Sequence, residues 1–106
     1  MAWAMLIVAG LFEVLWAFSM KQSHGFTKLI PSIITIVGMI VSFVLLAFSM
    51  RSLPLGTAYT IWTGIGAVGS FIAGIVFLGE HLNFTRICAA LLIVSGLILM
   101  KMSSSQ

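Results

Sequence analysis

Residues 2–20 read AWAMLIVAGLFEVLWAFSM, an apolar run in which the only charged residue is Glu13. A helix needs roughly 20 apolar residues to cross the hydrocarbon core of a bilayer, which is about 30 Å thick. Three further apolar runs of similar length follow, near residues 30–50, 56–78 and 84–100. The sequence therefore predicts an all-α membrane protein with four transmembrane helices.

The composition agrees with a chain that resides in a bilayer. Of its 106 residues, 61% are hydrophobic and 7% are charged, and the mean hydropathy is +1.25, far from the balance of a soluble domain. The four runs fill nearly the whole length, so we expect a single four-helix transmembrane domain over residues 1–106. We do not expect the first run to be a secretory signal peptide, because no Lys or Arg precedes it and Glu13 interrupts it.

Other features of the sequence disfavour several kinds of site. The only cysteine, Cys88, excludes an internal disulfide. His24 and His81 stand alone in loops without a nearby Cys or Asp, so we expect no metal site and no cofactor. The basic excess lies in loop residues that flank helices, as is normal in membrane proteins, and gives no indication of nucleic-acid binding. No catalytic residues are proposed, and we do not expect an enzyme.

Short loops make each helix run antiparallel to the one before it, so the N-terminus, the second loop and the C-terminus share one side of the membrane. That side carries Arg51 and Lys101, whereas the other side carries Lys21, Lys28 and Arg86. Orientation normally follows the number of Lys and Arg residues in short loops. The excess of one charge either fixes the N-terminus outside or is too small to decide, and we expect insertion in both orientations.

The size of the chain also points to a second copy. Four helices make a small bundle with little room to enclose an aqueous path. Many secondary transporters present a midplane site to both sides by means of two inverted repeats. The chain holds no second repeat, so another copy in the opposite orientation would have to supply it. We therefore expect an antiparallel homodimer with dual topology.

Glu13 lies near the middle of the first predicted helix and is the only ionisable side chain at such depth. A carboxylate there costs at least about 2.5 kcal/mol on insertion scales, and such residues usually mark proton or ion pathways. The alternative is a protonated glutamate that joins helices through a hydrogen bond, although Ser, Thr, Asn and Gln more commonly do this. We expect Glu13 to bind the substrate and protons.

Helical spacing places small, polar and aromatic residues near Glu13. On the first helix, Gly10 and Trp16 lie one turn away from it. On the second helix, Ser42 lies at mid-depth in a polar seam, and we expect it to hydrogen-bond Glu13. The alternatives are interface anchoring by tryptophan and tyrosine and hydrogen bonds from serine to its own helix. The candidate pocket-lining residues are Gly10, Trp16, Met39, Ser42, Phe43, Tyr59 and Trp62.

Two carboxylates, one from each copy, flanked by tryptophan faces and hydroxyls, predict a site for a cation. A planar guanidinium suits the two oxygens of a carboxylate through paired N–H donors, and aromatic faces attract its charge. If the proton and the cation both need the ionised Glu13 side chains, each excludes the other. Exchange of protons for cations then follows from that competition.

The third run contains the sequence GIGAVG at residues 64–69, which formally matches a dinucleotide-binding motif. That motif requires a preceding strand and phosphates at a helix N-terminus, whereas these glycines lie inside a membrane span. Small residues at four-residue spacing instead favour close helix packing and a flexible point. The candidate packing and hinge residues are Gly64, Gly66, Ser70 and Gly74.

Three motifs together resemble the small multidrug resistance family over nearly the whole chain. They are GLFEVLWA at residues 10–17 followed by Lys21, HGF at residues 24–26, and PLGTAYTIWTGIGA at residues 54–67. Trp16 and the WTGIGA segment are similar to the guanidinium exporter subtype rather than to the subtype that exports polyaromatic cations.

The resemblance implies an antiparallel dual-topology homodimer in a bacterial inner membrane, which exchanges protons for guanidinium-like cations by alternating access. It implies that Glu13 binds both substrate and protons and that the fourth helix packs the dimer. The residues that it implies to line or order the pocket are Trp16, Ser42, Tyr59 and Trp62.

Two other functions stay open at this point. Phe12 and Phe43 depart from the family pattern, and Met39 with Phe43 suits a proton-coupled exporter of bulky quaternary ammonium or aromatic cations. The other alternative is a membrane scaffold or channel subunit in which Glu13 only bonds helices. A scaffold tolerates Glu13→Gln whereas a transporter does not, and a channel passes the cation without proton movement.

Overall fold

The computed structural model describes residues 1–103, so residues 104–106 of the predicted domain lie outside the described residues. It contains four helices, α1 (Ala2–Gln22), α2 (Leu29–Ser49), α3 (Leu55–Leu78) and α4 (Phe84–Ser103). All four are long and apolar enough to cross a membrane, which confirms the predicted number of spans. The bounds lie close to the predicted ranges, and the largest difference is at the end of α4, which continues to Ser103.

Proline and glycine residues set the helix ends. Pro54 directly precedes α3, and Pro31 lies in the first turn of α2, where a backbone N–H has no partner within the helix. Gly79 ends α3 in a left-handed conformation with φ of 67°, and its N–H donates to the Gly74 carbonyl. A side chain at residue 79 would be strained in that conformation, so Gly79 sets the direction in which the chain leaves α3.

Helix α1 packs closely against both α2 and α3, whereas α2 and α3 touch at only a few positions. Helix α4 packs mainly against α3, and its Lys101 also lies over the Trp3 ring of α1. This arrangement is flat, since the Cα atoms extend over 43 × 34 × 16 Å. A flat bundle leaves the α1 residues that face away from α2 and α3 without a further helix of the same chain to cover them.

The polar seam predicted on α2 faces the interior of the bundle, where Thr35, Ser42 and Ser49 are buried. Thr35 donates to the Pro31 carbonyl at 2.8 Å, and Ser49 donates to the Leu46 carbonyl at 2.8 Å. These two side chains therefore satisfy themselves on their own helix. Ser42 differs from them, because its partners lie on other helices.

No residue of α4 is buried over its described range, Phe84–Ser103. Most of its apolar side chains, including Leu91, Leu92 and Leu99, are exposed. An exposed apolar helix face is unfavourable in water. In a bilayer we therefore expect α4 to face either lipid or another protein.

Candidate functional site

Glu13 on α1 lies directly against Gly66 on α3. A Cβ atom placed on Gly66 would overlap the Glu13 carboxylate, so the absence of a side chain at residue 66 makes room for the carboxylate. The Oε1 atom of Glu13 is buried and has no hydrogen-bond partner among the described residues. Leaving a buried polar atom without a partner costs about 1–3 kcal/mol, and more for a charged group. The described part of the chain therefore leaves this oxygen unsatisfied.

Two further close approaches hold α1 against α3 on either side of this contact. A Cβ on Gly10 would meet the Cβ of Ile65 at 2.8 Å, and a Cβ on Gly69 would overlap Val14. Gly10 was predicted to line the pocket. In the structure, its lack of a side chain leaves room for Ile65. Gly69 was missed as a packing residue, although its spacing of three from Gly66 placed it on the same face of α3.

Ser42 joins three helices through its hydroxyl group. The Trp62 Nε1–H on α3 donates to Ser42 Oγ at 2.9 Å, and Ser42 Oγ donates to the Ala9 carbonyl on α1 at 2.7 Å. All of these groups are buried. In an α-helix the Ala9 carbonyl also accepts the N–H of residue 13. The hydrogen bonds of Ser42 therefore reach α1 one turn before the residue that carries the carboxylate.

The predicted hydrogen bond between Ser42 and Glu13 is therefore wrong for this chain. A hydroxyl has a single proton to donate, and Ser42 gives it to the Ala9 carbonyl. Helical spacing correctly placed Ser42 at mid-depth, but a backbone carbonyl leaves no signal in the sequence pattern. Ser42 instead orients Trp62 in the wall beside the carboxylate.

Four aromatic rings form a continuous chain beside Glu13. Trp16 and Phe43 meet edge to face with centroids 6.2 Å apart, Phe43 and Trp62 are 5.7 Å apart, and Trp62 and Tyr59 are 5.7 Å apart. These separations lie in the favourable range for aromatic pairs. The structure thus brings together the four predicted aromatic residues from α1, α2 and α3.

The two tryptophans differ in how their polar ends are used. Trp62 is 7% exposed and its N–H is satisfied by Ser42. The Nε1 atom of Trp16 is buried without a hydrogen-bond partner among the described residues. The site therefore contains one acceptor, Glu13 Oε1, and one donor, Trp16 Nε1, that the described part of the chain does not satisfy.

The remaining candidate residues differ in their distance from Glu13 and in their exposure. Tyr59 is 53% exposed near the start of α3, so it has the position of an interfacial residue while its ring also contacts Trp62. Met39 and Ser70 are half-buried on α2 and α3. Gly64 faces α4, where a Cβ would overlap Leu97. Gly64, a candidate packing or hinge residue, therefore lies at the contact between α3 and α4.

The nearest atoms to a Cβ on Gly74 belong to Glu80 and not to another helix. A Cβ on Gly74 would overlap the carboxylate of Glu80, because the chain folds back after Gly79 and the Glu80 N–H donates to the Gly74 carbonyl at 3.1 Å. Helical periodicity gave no signal for this contact, since Glu80 lies beyond the end of α3. The small residues of α3 thus face different partners instead of forming a single seam.

Comparison with known proteins places the chain in a family. The family model described as Small Multidrug Resistance protein matches residues 1–94. The chain is 56% identical over 104 residues to the guanidinium exporter of Escherichia coli (strain K12), covering 98% of this chain and 99% of the relative. It is 57% identical over 104 residues to the guanidinium exporter of Yersinia pseudotuberculosis serotype I (strain IP32953), covering 98% and 100%.

A third relative, the guanidinium exporter of Citrobacter freundii, is 55% identical over 104 residues, which cover 98% of this chain and 99% of the relative. These relatives are bacterial, and their names describe transporters. With four apolar helices long enough to cross the bilayer, the chain is a multi-pass protein of the bacterial inner membrane. The chain belongs to the small multidrug resistance family.

Proposed function

We propose that this protein is a proton-coupled antiporter that exports guanidinium or small guanidinyl cations by alternating access, and that it works as an antiparallel homodimer. The observation that carries the proposal is the Glu13 carboxylate, which lies against Gly66 and whose buried Oε1 atom has no partner among the described residues. Ionisable groups inside a membrane usually mark a substrate or proton pathway. Protons are the coupling ion, and no cofactor is proposed.

The chemistry of the site favours a flat cation rich in N–H groups. Guanidinium offers paired donors to the two oxygens of a carboxylate, and the ring chain from Trp16 to Tyr59 offers aromatic faces that attract positive charge. Three relatives with 55–57% identity carry the name guanidinium exporter. Both arguments support guanidinium over a bulky aromatic cation.

Proton coupling follows from the use of one group for both ligands. A protonated Glu13 has no negative charge with which to hold a cation, and a cation bound to the carboxylate keeps the proton away. Binding linkage then makes each ligand weaken the other to the same extent. An exchanger needs no separate proton site if Glu13 serves both.

Several features support a homodimer of opposed copies. The monomer is only 16 Å deep along its shortest axis, and its fourth helix has no buried residue over the described range. The Lys and Arg residues differ by a single charge between the two sides, which favours insertion in both orientations. An inverted second copy supplies the symmetry that many transporters obtain from inverted repeats and adds a second Glu13 to the site.

The test is guanidinium uptake into proteoliposomes, with and without an imposed pH gradient, for wild type, Glu13→Gln and Glu13→Asp. We expect gradient-driven uptake by wild type, a weaker but still gradient-driven uptake by Glu13→Asp, and none by Glu13→Gln. A bulky quaternary ammonium should compete weakly. Strong competition would favour the multidrug exporter, uptake that ignores the gradient would favour a channel, and no uptake by folded protein would contradict transport.

A further inference from the structure

A cavity lies at the end of the bundle, away from Glu13. It measures about 680 Å³ and is bounded by the last turn of α1, the first loop and the end of α3. Lys21, His24 and Glu80 are its charged or titratable lining residues. With a rise of about 1.5 Å per residue, Lys21 is about 12 Å from Glu13 along α1. The cavity is therefore separate from the site at mid-membrane.

Glu80 is held against the helix that precedes it. Gly79 turns the chain with a φ of 67°, and the Glu80 N–H donates to the Gly74 carbonyl at 3.1 Å. The carboxylate then lies against Gly74, where a Cβ would overlap it. Glu80 forms no ion pair with any residue in the described part of the chain. Glu80 is an exposed residue, so its carboxylate is accessible to a dissolved cation.

This position is electrostatically unfavourable for a carboxylate. The C-terminus of a helix carries a partial charge of about −0.5, which repels anions and attracts cations. The ends of both α1 and α3 border the cavity. Lys21 offsets the formal charge of Glu80, so the partial negative charges of the two helix ends remain to favour a cation in the cavity. A bound cation relieves that repulsion.

The first loop adds a fixed wall with a hydrogen-bond acceptor. His24, Gly25 and Phe26 have φ values of 50°, 73° and 67°, a left-handed conformation that is unfavourable for residues other than glycine and that often marks functional sites. The His24 Nδ1 atom lies 3.1 Å from the Gln22 carbonyl. In the tautomer in which Nδ1 donates to this carbonyl, Nε2 is a hydrogen-bond acceptor.

Hydrogen bonds within the loop and to the last turn of α1 hold it in this shape. The Ser23 hydroxyl donates to the Met20 carbonyl at 2.7 Å and accepts the N–H of Phe26 at 3.0 Å. Thr27 Oγ1 donates to the His24 carbonyl at 2.9 Å. The wall of the cavity is therefore set before any ligand arrives, which lowers the ordering cost of binding.

We propose that this cavity is a peripheral binding site for a small organic cation with several N–H donors, with the Glu80 carboxylate as its principal ligand. The choice of guanidinium as that cation rests on the proposed function. Bound there, the cation is concentrated at the membrane surface next to α1 before it reaches Glu13. In an antiparallel dimer, each side of the membrane carries one such cavity.

The test is an amide NMR titration of the full-length protein in lipid nanodiscs with guanidinium chloride, read at Gly79, Glu80 and Gln22. Wild type and Glu13→Gln should both show saturable shifts at these amides, because the cavity does not include Glu13. Glu80→Gln should weaken this binding by about two- to fivefold, the range that exposed ion pairs support. Tetramethylammonium, which has no N–H donors, should not produce the shifts.

Two further variants separate a site from general surface charge. Thr85→Lys, at an exposed position at the start of α4, changes the charge at this end by the same amount as Glu80→Gln but lies outside the cavity, and it should leave the shifts nearly unchanged. Lys21→Gln should strengthen binding by about twofold. Equal effects of Thr85→Lys and Glu80→Gln, or unchanged binding in Glu80→Gln, would overturn the proposal.

A transport measurement distinguishes failure of the peripheral site from failure of the proposed function, on which it rests. If wild type transports guanidinium while Glu80→Gln binds it at Gly79 as wild type does, the peripheral site is wrong and the proposed function stands. If the shifts at Gly79 depend on Glu80 but no guanidinium is transported, the peripheral site stands and the proposed function is wrong.

Discussion

The carboxylate of Glu13 on α1 rests against the Cα of Gly66 on α3, so close that no other residue fits at 66 without movement. The position of the Glu13 carboxylate and the packing of α1 against α3 therefore depend on the same contact. Replacement of Gly66 tests this relationship without altering the carboxylate itself.

Gly66→Ala should displace the Glu13 carboxylate or push α1 away from α3, because the added methyl group overlaps the carboxylate. We expect guanidinium binding to weaken by about tenfold or more, equivalent to about 1.4 kcal/mol, as measured by calorimetry on purified protein. Gly56→Ala is the matched control on the same helix, since a Cβ there meets nothing within 4 Å. Equal binding by Gly66→Ala and Gly56→Ala would contradict the packing argument.

Ser42→Ala should destabilise the fold by about 1–3 kcal/mol, because it leaves the buried Trp62 N–H without an acceptor. Ser49→Ala removes an equally buried hydroxyl that bonds only its own helix and should have a smaller effect. In a Trp62→Phe background, which lacks the N–H, Ser42→Ala should lose part of its effect. Reversible unfolding of the four variants in detergent measures these differences, and additive effects would disprove the coupling.

Gly64→Ala should loosen α4 from α3, because its methyl group overlaps Leu97. Overpacking of this kind usually costs about 1–3 kcal/mol. The double variant with Leu97→Ala should regain part of the lost thermal stability, which identifies the clash as the cause. Gly96→Ala on α4 meets nothing within 4 Å and is the control. A double variant less stable than Gly64→Ala alone would rule out this explanation.

Guanidinium binding should weaken as the pH falls, because protonation of Glu13 removes the negative charge that holds the cation. Displacement of one proton per cation sets a limiting slope of about tenfold in affinity per pH unit. The dissociation constant of wild type across a pH series measures the slope, with the Glu13→Asp variant expected to retain it. A dissociation constant that does not change with pH would show that protons and guanidinium use different groups.

The sequence predicted the four helices well, because the length of an apolar run is a direct measure of its ability to cross a bilayer. Glu13 could be identified for the same reason, as a charge stands out in such a run. The partners of Ser42 and Gly74 could not, since helical spacing gives the face on which a residue lies and not the atom opposite. Ser42 meets a backbone carbonyl, and Gly74 meets a side chain that returns after the helix has ended.

The central claim is that guanidinium and protons exchange at Glu13, and its most direct test is proton movement driven by a guanidinium gradient. Proteoliposomes loaded with guanidinium and a pH-sensitive dye, then diluted into guanidinium-free buffer at equal pH, should acidify inside as each leaving cation is replaced by protons. Glu13→Gln vesicles should show no such change. Loss of guanidinium from wild-type vesicles without internal acidification would contradict the exchange mechanism.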